Sequence, residues 1–201
     1  MHILIDMDDV LTPWSPSFKS TIVADYPRLR FPFVENESYG WDLHAGLGPR
    51  GIRAVENTMS KPGFYAELPV MEGAVEAVHD MLDKGHDVTI CSTPWVSNPT
   101  CASDKLNWME RHFGKGWGAR TILTPDKTMI IGDVLIDDKP KIKGRYKPGW
   151  SQVLFDAPHN QDADIPVRMF RWDEWEDRVW DALSALEESS RQGRTPSRTT
   201  S

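Results

Sequence analysis

Three acidic residues stand close together near the N-terminus, directly after a short apolar run. Residues 3–5 are Ile-Leu-Ile, and Asp6, Asp8 and Asp9 follow immediately. A β-branched run bounded by acids indicates a buried strand that ends in carboxylates, and ligands bind at that end of open α/β sheets. Carboxylates this close repel one another unless a cation neutralises them, which favours Mg²⁺ and a phosphate as ligands. Taken alone, the cluster is explained equally well as a solvated acidic turn.

Two other apolar runs also end in polar residues that suit a phosphate and its metal. One run leads into Ser92, and the other leads into the pair Asp137 and Asp138. Lys105 lies between them in the sequence and offers an ammonium group that can balance the acids. As a single residue it is more simply a solvated lysine on a helix. A chance acidic turn does not predict these companions in this order, so the combination favours a phosphate-transfer site.

Alternating strand and helix signals predict the elements that position these residues. We expect strands at about residues 2–6, 87–91, 121–123, 128–131, 134–136, 152–155 and 167–170, and helices at about 74–82, 102–113 and 172–186. This alternation builds a Rossmann-like α/β fold, in which helices cover both faces of a parallel sheet.

The chain between the first strand and the first core helix has a different character. Residues 14–69 are rich in aromatic residues and proline and show two weak helical patterns, which predicts a small helical cap inserted after the first strand. The predicted core then comprises residues 1–13 and 70–188. Residues 189–201 are mostly Ser, Thr and Arg without apolar periodicity, which predicts a disordered tail.

Composition restricts the class of protein. The 201 residues are 39% hydrophobic and include nine Trp, as expected of a globular chain with one core. A net charge of −7 argues against a nucleic-acid polymer as partner. Cys91 and Cys101 do not form a CxxC pair, so we expect neither a disulfide framework nor a zinc site. We expect no export signal and no membrane span, and therefore a cytoplasmic location.

The motifs resemble those of the haloacid dehalogenase-like phosphatases, and more closely those of the 5'(3')-deoxyribonucleotidases. That family typically reads Asp-Met-Asp-Gly-Val-Leu, Ile-Cys-Thr-Ser-Pro and Leu-Ile-Asp-Asp-[Lys/Arg]. Here residues 6–11, 90–94 and 135–139 read Asp-Met-Asp-Asp-Val-Leu, Ile-Cys-Ser-Thr-Pro and Leu-Ile-Asp-Asp-Lys. Residues 62–65 and 123–128 are also similar to the family's connecting segments. The resemblance therefore implies a haloacid dehalogenase-like core with a cap.

Two positions depart from the family pattern. Asp9 stands where the family has Gly, which adds a negative charge and removes a permissive backbone residue beside the acidic motif. Ser92 and Thr93 invert the usual order, a mild change because both residues offer hydroxyls. The first departure affects the expected substrate preference more than the expected reaction.

The resemblance implies a catalytic role for each acidic residue. Asp6 would be the nucleophile that forms an aspartyl-phosphate. Asp8 would protonate the leaving ester oxygen and later deprotonate the attacking water. Mg²⁺ would be bound by Asp6, by the backbone carbonyl of Asp8, and by Asp137 or Asp138, with a weak preference for Asp138.

The resemblance also implies two sets of substrate contacts. The phosphate would be bound by Ser92, Thr93 and Lys105. The base and sugar would contact Trp14, Trp41, Phe64 and Pro94, of which the aromatic residues could instead simply pack in the core. The partner would then be a small nucleotide, without a membrane or nucleic-acid polymer. A homodimer is compatible with the sequence, which does not determine the oligomeric state.

Three functions compete at this point. The leading hypothesis is a Mg²⁺-dependent 5'(3')-deoxyribonucleotidase that releases phosphate from deoxyribonucleoside monophosphates. A second is a related phosphatase for a sugar phosphate or another small ester. A third is a catalytically silent phosphate-binding module, which is disfavoured because the full set of motif residues is present.

Overall fold

The computed structural model describes the backbone of residues 1–36 and 42–192, and the side chains of the same ranges as far as residue 185. Within these residues the strands are β1 His2–Ile5, β2 Asp87–Ser92, β3 Thr121–Leu123, β4 Val134–Asp137, β5 Ser151–Phe155 and β6 Arg168–Met169. The α-helices of the same part of the chain are α1 Trp14–Asp25, α2 Pro32–Glu35, α3 Pro49–Met59, α4 Ala74–Asp83, α5 Cys101–Phe113 and α6 Trp175–Gln192.

The six strands form one parallel sheet in the order β3-β2-β1-β4-β5-β6. The first strand is central, and Ile5 is in register with Ile90 of β2 and with Ile136 of β4. The carboxyl ends of these three strands therefore lie side by side at one edge of the sheet. The predicted α/β fold with a parallel sheet is confirmed.

The central strands β1 and β4 are buried on both faces, which explains their nearly continuous apolar sequences. Ile3 and Ile5 belong to the main core, into which α4, α5 and α6 also pack. Leu4 points to the opposite face, where it forms a smaller cluster with Leu135 and Trp150. Because residues 3–5 of β1 are fully buried, the C-terminal end of the strand is held rigidly beneath the site.

Helices α1, α2 and α3 occupy the place in the chain predicted for the cap. Aromatic side chains hold this helical segment together and against the core. The rings of Trp14 and Phe18 stack with centroids 4.8 Å apart, and Phe18 meets Phe33 at 5.8 Å. The bounds of 14–69 for a separate cap stay a prediction.

One predicted strand was wrong, and two other bounds differ. Residues 128–131 do not form a strand; instead a 3₁₀ turn covers Lys127–Met129. The carboxylate of Asp126 accepts hydrogen bonds from the amide and hydroxyl of Thr128, which stabilises the turn over an extended chain. The last strand is shorter than predicted, and α6 continues to Gln192, beyond the predicted start of the tail. Residues 193–201 lie outside the described residues.

Candidate active site

The chain turns sharply after β1, and this turn brings Asp6 and Asp8 to the same side. The amide of Asp6 still donates to the carbonyl of Ile136, 2.9 Å away, so Asp6 continues the strand. The carbonyl of Met7 then accepts hydrogen bonds from the amides of Leu11 and Thr12, at 2.9 and 3.0 Å. Met7 itself is fully buried in the core, and the acids on either side of it both line a cavity.

Lys105, presented by α5, is the partner of Asp8. Its Nζ lies 2.7 Å from Asp8 Oδ2 and 2.9 Å from the hydroxyl oxygen of Ser92, and its side chain is completely buried. The other oxygen of Asp8 is buried without a hydrogen-bond partner among the described residues. Burial raises the pKa of Asp8 above its ordinary value, although Lys105 opposes the shift. Asp8 therefore retains a proton more readily than an exposed carboxyl group does.

A second buried lysine, Lys127, is the partner of Asp6. Its Nζ lies 2.7 Å from Asp6 Oδ1 and also contacts the carboxylate of Asp137. Burial alone would lower the pKa of Lys127, but these two carboxylates raise it above its ordinary value. Lys127 was missed as a site residue. The similarity of residues 123–128 to the family's connecting segment could have indicated it. The wrongly predicted strand at 128–131 concealed the turn that directs the Lys127 side chain towards Asp6.

Asp137 and Asp138 lie at the end of β4, but their surroundings differ. Asp137 contacts Lys127 with one oxygen and accepts a hydrogen bond from the amide of Lys139 with the other, at 2.8 Å. One oxygen of Asp138 lies 2.7 Å from Nε2 of His159. Burial and neighbouring carboxylates raise the pKa of both acids, that of Asp137 to about 6. This repulsion is what a cation would relieve.

The donor set fits a divalent cation. Asp6, Asp137 and Asp138 each offer a carboxylate oxygen, and these atoms lie within 4.8 Å of one another. All three side chains are buried, and an all-oxygen set of this kind is the one that Mg²⁺ prefers.

Asp9 adopts the left-handed backbone conformation that its position requires, with φ of 55°. Glycine would adopt this conformation without strain, which accounts for the glycine in the family pattern. The carboxylate of Asp9 accepts hydrogen bonds from the amide of Ser15, at 2.7 Å, and from its hydroxyl. Asp9 thus accepts a hydrogen bond from an amide in the first turn of α1. Burial raises the pKa of Asp9 to about 6.

A cavity of about 440 Å³ opens above these residues, between the sheet edge and the helical segment. Trp14, Thr93 and Pro94 line it, as expected of substrate contacts. Phe64 does not; it is buried edge-on against Trp14, with ring centroids 6.3 Å apart. Trp41 lies outside the described residues. The structure therefore places three of the seven predicted binding residues on the cavity wall, whereas Ser92 and Lys105 are fully buried beside Asp8 and do not line it.

Comparison with solved structures identifies the fold. The chain is similar to a haloacid dehalogenase family hydrolase from Deinococcus radiodurans, solved with bound phosphate and sodium, with a TM-score of 0.54 and 13% identity. The match covers 94% of this chain and 96% of that one. The fold is therefore that of the haloacid dehalogenase-like hydrolases.

Sequence comparison identifies the family. Residues 1–185 match the family described as "5' nucleotidase, deoxy (Pyrimidine), cytosolic type C protein". A Bordetella pertussis protein provisionally assigned as a 5'(3')-deoxyribonucleotidase is 37% identical over 175 residues, covering 87% of this chain and 93% of that protein. The human cytosolic 5'(3')-deoxyribonucleotidase is 32% identical over 199 residues, covering 92% and 94%. The chain belongs to this family of phosphoric monoester hydrolases, which confirms the predicted family and enzyme class.

Proposed function

We propose that this chain is a Mg²⁺-dependent phosphatase that releases phosphate from deoxyribonucleoside 5'- or 3'-monophosphates through an aspartyl-phosphate. The observation that carries the proposal is the separate pairing of the first two acids, Asp6 with Lys127 and Asp8 with Lys105. Two carboxylates in different surroundings can take different roles in one reaction.

Asp6 is the nucleophile in this proposal. The ammonium group of Lys127, 2.7 Å from Asp6 Oδ1, fixes the position of this carboxylate in the site. One oxygen of Asp6 attacks phosphorus and forms the acyl-phosphate bond while the bond from phosphorus to the ester oxygen breaks. Ser92 and Lys105 contact the phosphate oxygens during this step, and Thr93 at the cavity wall offers a further hydroxyl.

Asp8 transfers the proton in both half-reactions. Burial raises its pKa, which favours the protonated form, and in this proposal Asp8 donates that proton to the departing sugar oxygen. The resulting carboxylate then accepts a proton from the water that attacks the aspartyl-phosphate. Phosphate leaves, and Asp6 and Asp8 return to their initial states.

The metal would be held by Asp6, by the backbone carbonyl of Asp8 and by Asp138. Asp138 is preferred over Asp137 because both oxygens of Asp137 already have partners, Lys127 and the amide of Lys139. When bound, Mg²⁺ supplies positive charge that offsets the repulsion between the acids and the phosphate.

Trp14 is the proposed contact for the base, since its ring lines the cavity and is fixed by stacking on Phe18. Pro94 completes the wall, and the predicted contacts of Phe64 and Trp41 with the nucleotide stay predictions.

None of the helices in the described part of the chain is long and apolar enough to cross a membrane. The cytoplasmic location and the homodimer are likewise left as predictions.

The test is phosphate release with Mg²⁺ from dUMP, dTMP, dGMP, their 3' isomers, ribonucleotides and sugar phosphates. We expect deoxyribonucleotides to be preferred and Trp14→Ala to raise KM for them by about 5- to 150-fold, as loss of base stacking implies. Trp14→Phe keeps an aromatic ring and should raise KM less. The KM for ribose 5-phosphate should not change with either substitution. A preference for sugar phosphates that is insensitive to Trp14→Ala would support the second enzyme hypothesis. No release from any ester would favour the binding module.

A further inference from the structure

The connection between β4 and β5 carries a cluster of positively charged side chains that has no role in the proposed reaction. Residues 139–147, here called the basic loop, contain five cationic side chains and no acid, in a chain of net charge −7. They are Lys139, Lys141, Lys143, Arg145 and Lys147, and all are exposed. Among the described residues, Lys141, Lys143 and Lys147 form no ion pair with a carboxylate. Their charge is therefore available to an external anion.

The basic loop is held in a defined position beside the site. The carboxylate of Asp126 accepts a hydrogen bond from the amide of Arg145, at 2.9 Å, and the hydroxyl of Thr128 accepts one from the amide of Tyr146, at 3.2 Å. Gly144 approaches so closely that a Cβ atom there would lie 1.9 Å from Oδ1 of Asp126. Asp126 and Thr128 flank Lys127, so the basic loop and the lysine that pairs with Asp6 are fixed to the same turn.

The basic loop also forms part of the cavity wall. Lys139, Ile142 and Lys143 line the cavity that contains Asp6 and Asp8. Ile142 packs against the smaller core cluster, which anchors this stretch on the sheet side. The two lysines on either side of it therefore present positive charge at the cavity.

The floor of the same cavity is strongly acidic. Six aspartates line the cavity, namely Asp6, Asp8, Asp9, Asp42, Asp137 and Asp138, and two buried lysines pair with them, Lys105 with Asp8 and Lys127 with Asp6. A phosphate monoester near neutral pH carries close to two negative charges and would be repelled by this floor. Charge at the cavity entrance can offset that repulsion and raise the rate of capture.

We propose that the basic loop, through Lys143 above all, is a docking site for the phosphate dianion of the incoming monoester. This inference rests on the proposed function and adds to it the step by which the substrate enters. Docking is electrostatic and precedes the chemistry. It should therefore affect kcat/KM and its dependence on salt, and leave kcat nearly unchanged.

The test compares Lys143→Gln and Lys143→Glu with the same changes at Lys115, an exposed lysine that does not line the cavity. At about 0.01 M salt, where charges act over about 30 Å, we expect kcat/KM to fall about threefold for K143Q and about tenfold for K143E. At about 1 M salt, where the Debye length is about 3 Å, the differences should largely disappear. The Lys115 variants should match the unmodified chain within about twofold, and kcat should change little throughout.

A second readout separates this proposal from the proposed function. Calorimetric binding of inorganic phosphate in the presence of Mg²⁺ should weaken in K143E and not in K115E, even if no ester is hydrolysed. Equal effects at Lys143 and Lys115 in either assay would mean that only the net charge of the protein matters, and this result would overturn the proposal. A fall in kcat at unchanged KM would also overturn it, because Lys143 would then act in the chemistry rather than in docking.

Discussion

Replacement of Asp9 by Asn gives a quantitative test of how much the buried negative charge at this position destabilises the fold. Asn tolerates the left-handed backbone at this position and retains an acceptor for the amide of Ser15. What it removes is a buried negative charge beside Asp6 and Asp8. We therefore expect Asp9→Asn to stabilise the fold near neutral pH.

The magnitude follows from the pKa of Asp9, which burial raises from 3.8 to about 6. A folded-state pKa above the unfolded one means that the folded protein binds the proton more tightly. Stability from this group is thus greatest below pH 3.8 and is lost as the pH rises towards 6. The cost of the ionised carboxylate reaches about 3 kcal/mol above pH 7 and is roughly half of that at pH 5. Asn stays uncharged at every pH, so the free energy of unfolding of the variant should exceed that of the unmodified chain by these amounts.

The assay is urea unfolding in EDTA between pH 5 and pH 7.5, so that no bound cation changes the charge balance. Asp83→Asn, which removes an exposed carboxylate on α4, is the matched control and should change stability by less than about 0.5 kcal/mol. Asp9→Gly relaxes the backbone but deletes both hydrogen bonds with Ser15, so it should stabilise the fold less than Asp9→Asn does. A D9N variant that is less stable, or a difference that does not vary with pH, would refute the reasoning.

Two further predictions concern the residues that support the site. Lys127→Met should destabilise the chain by about 3–5 kcal/mol in urea unfolding without Mg²⁺, because it leaves two buried carboxylates unpaired. Added Mg²⁺ should recover part of this loss, and a loss that Mg²⁺ leaves unchanged would contradict the assigned cation site. Gly144→Ala should cost about 1–3 kcal/mol, since its Cβ would overlap Asp126. Gly149→Ala, which meets no atom within 4 Å, is the control, and equal effects of the two would contradict the fixed position of the basic loop.

The sequence predicted the parallel sheet and the residues that end its central strands. Buried β-branched runs followed by acids or a hydroxyl form a local pattern, and parallel pairing then places Asp6, Ser92 and Asp137 at one edge. The fold and the meeting point of the motifs followed from these two facts. Lys105 was predicted from its place between the motifs, and it lies near the start of α5, the helix that begins at this edge after β2.

The parts that sequence did not predict depend on contacts between distant segments. Residues 128–131 read as a strand because they are apolar, yet the side chain of Asp126 closes a turn that local hydrophobicity does not register. The role of Lys127 depends on that turn and on carboxylates from β1 and β4. The charge pattern of the basic loop is visible in the sequence, but its place on the cavity wall requires the folded chain.

Asp9 shows how a departure from the family pattern can keep the local structure. Its backbone adopts the conformation that suits glycine, while its carboxylate closes the first turn of α1, on which Trp14 lies. The additional charge therefore acts on both stability and the cavity. It was predicted to matter for substrate preference, and that stays a prediction.

The central claim is that Asp6 forms a covalent bond to phosphate during hydrolysis of a deoxyribonucleoside monophosphate. The most direct test is to quench the reaction with acid during turnover of Mg²⁺ and dUMP labelled in its phosphate, and to map the labelled peptide. We predict label on Asp6 and its absence from Asp6→Asn, a variant expected to fold normally and release no phosphate. Phosphate release from dUMP without label on Asp6, or unchanged turnover by Asp6→Asn, would contradict the account.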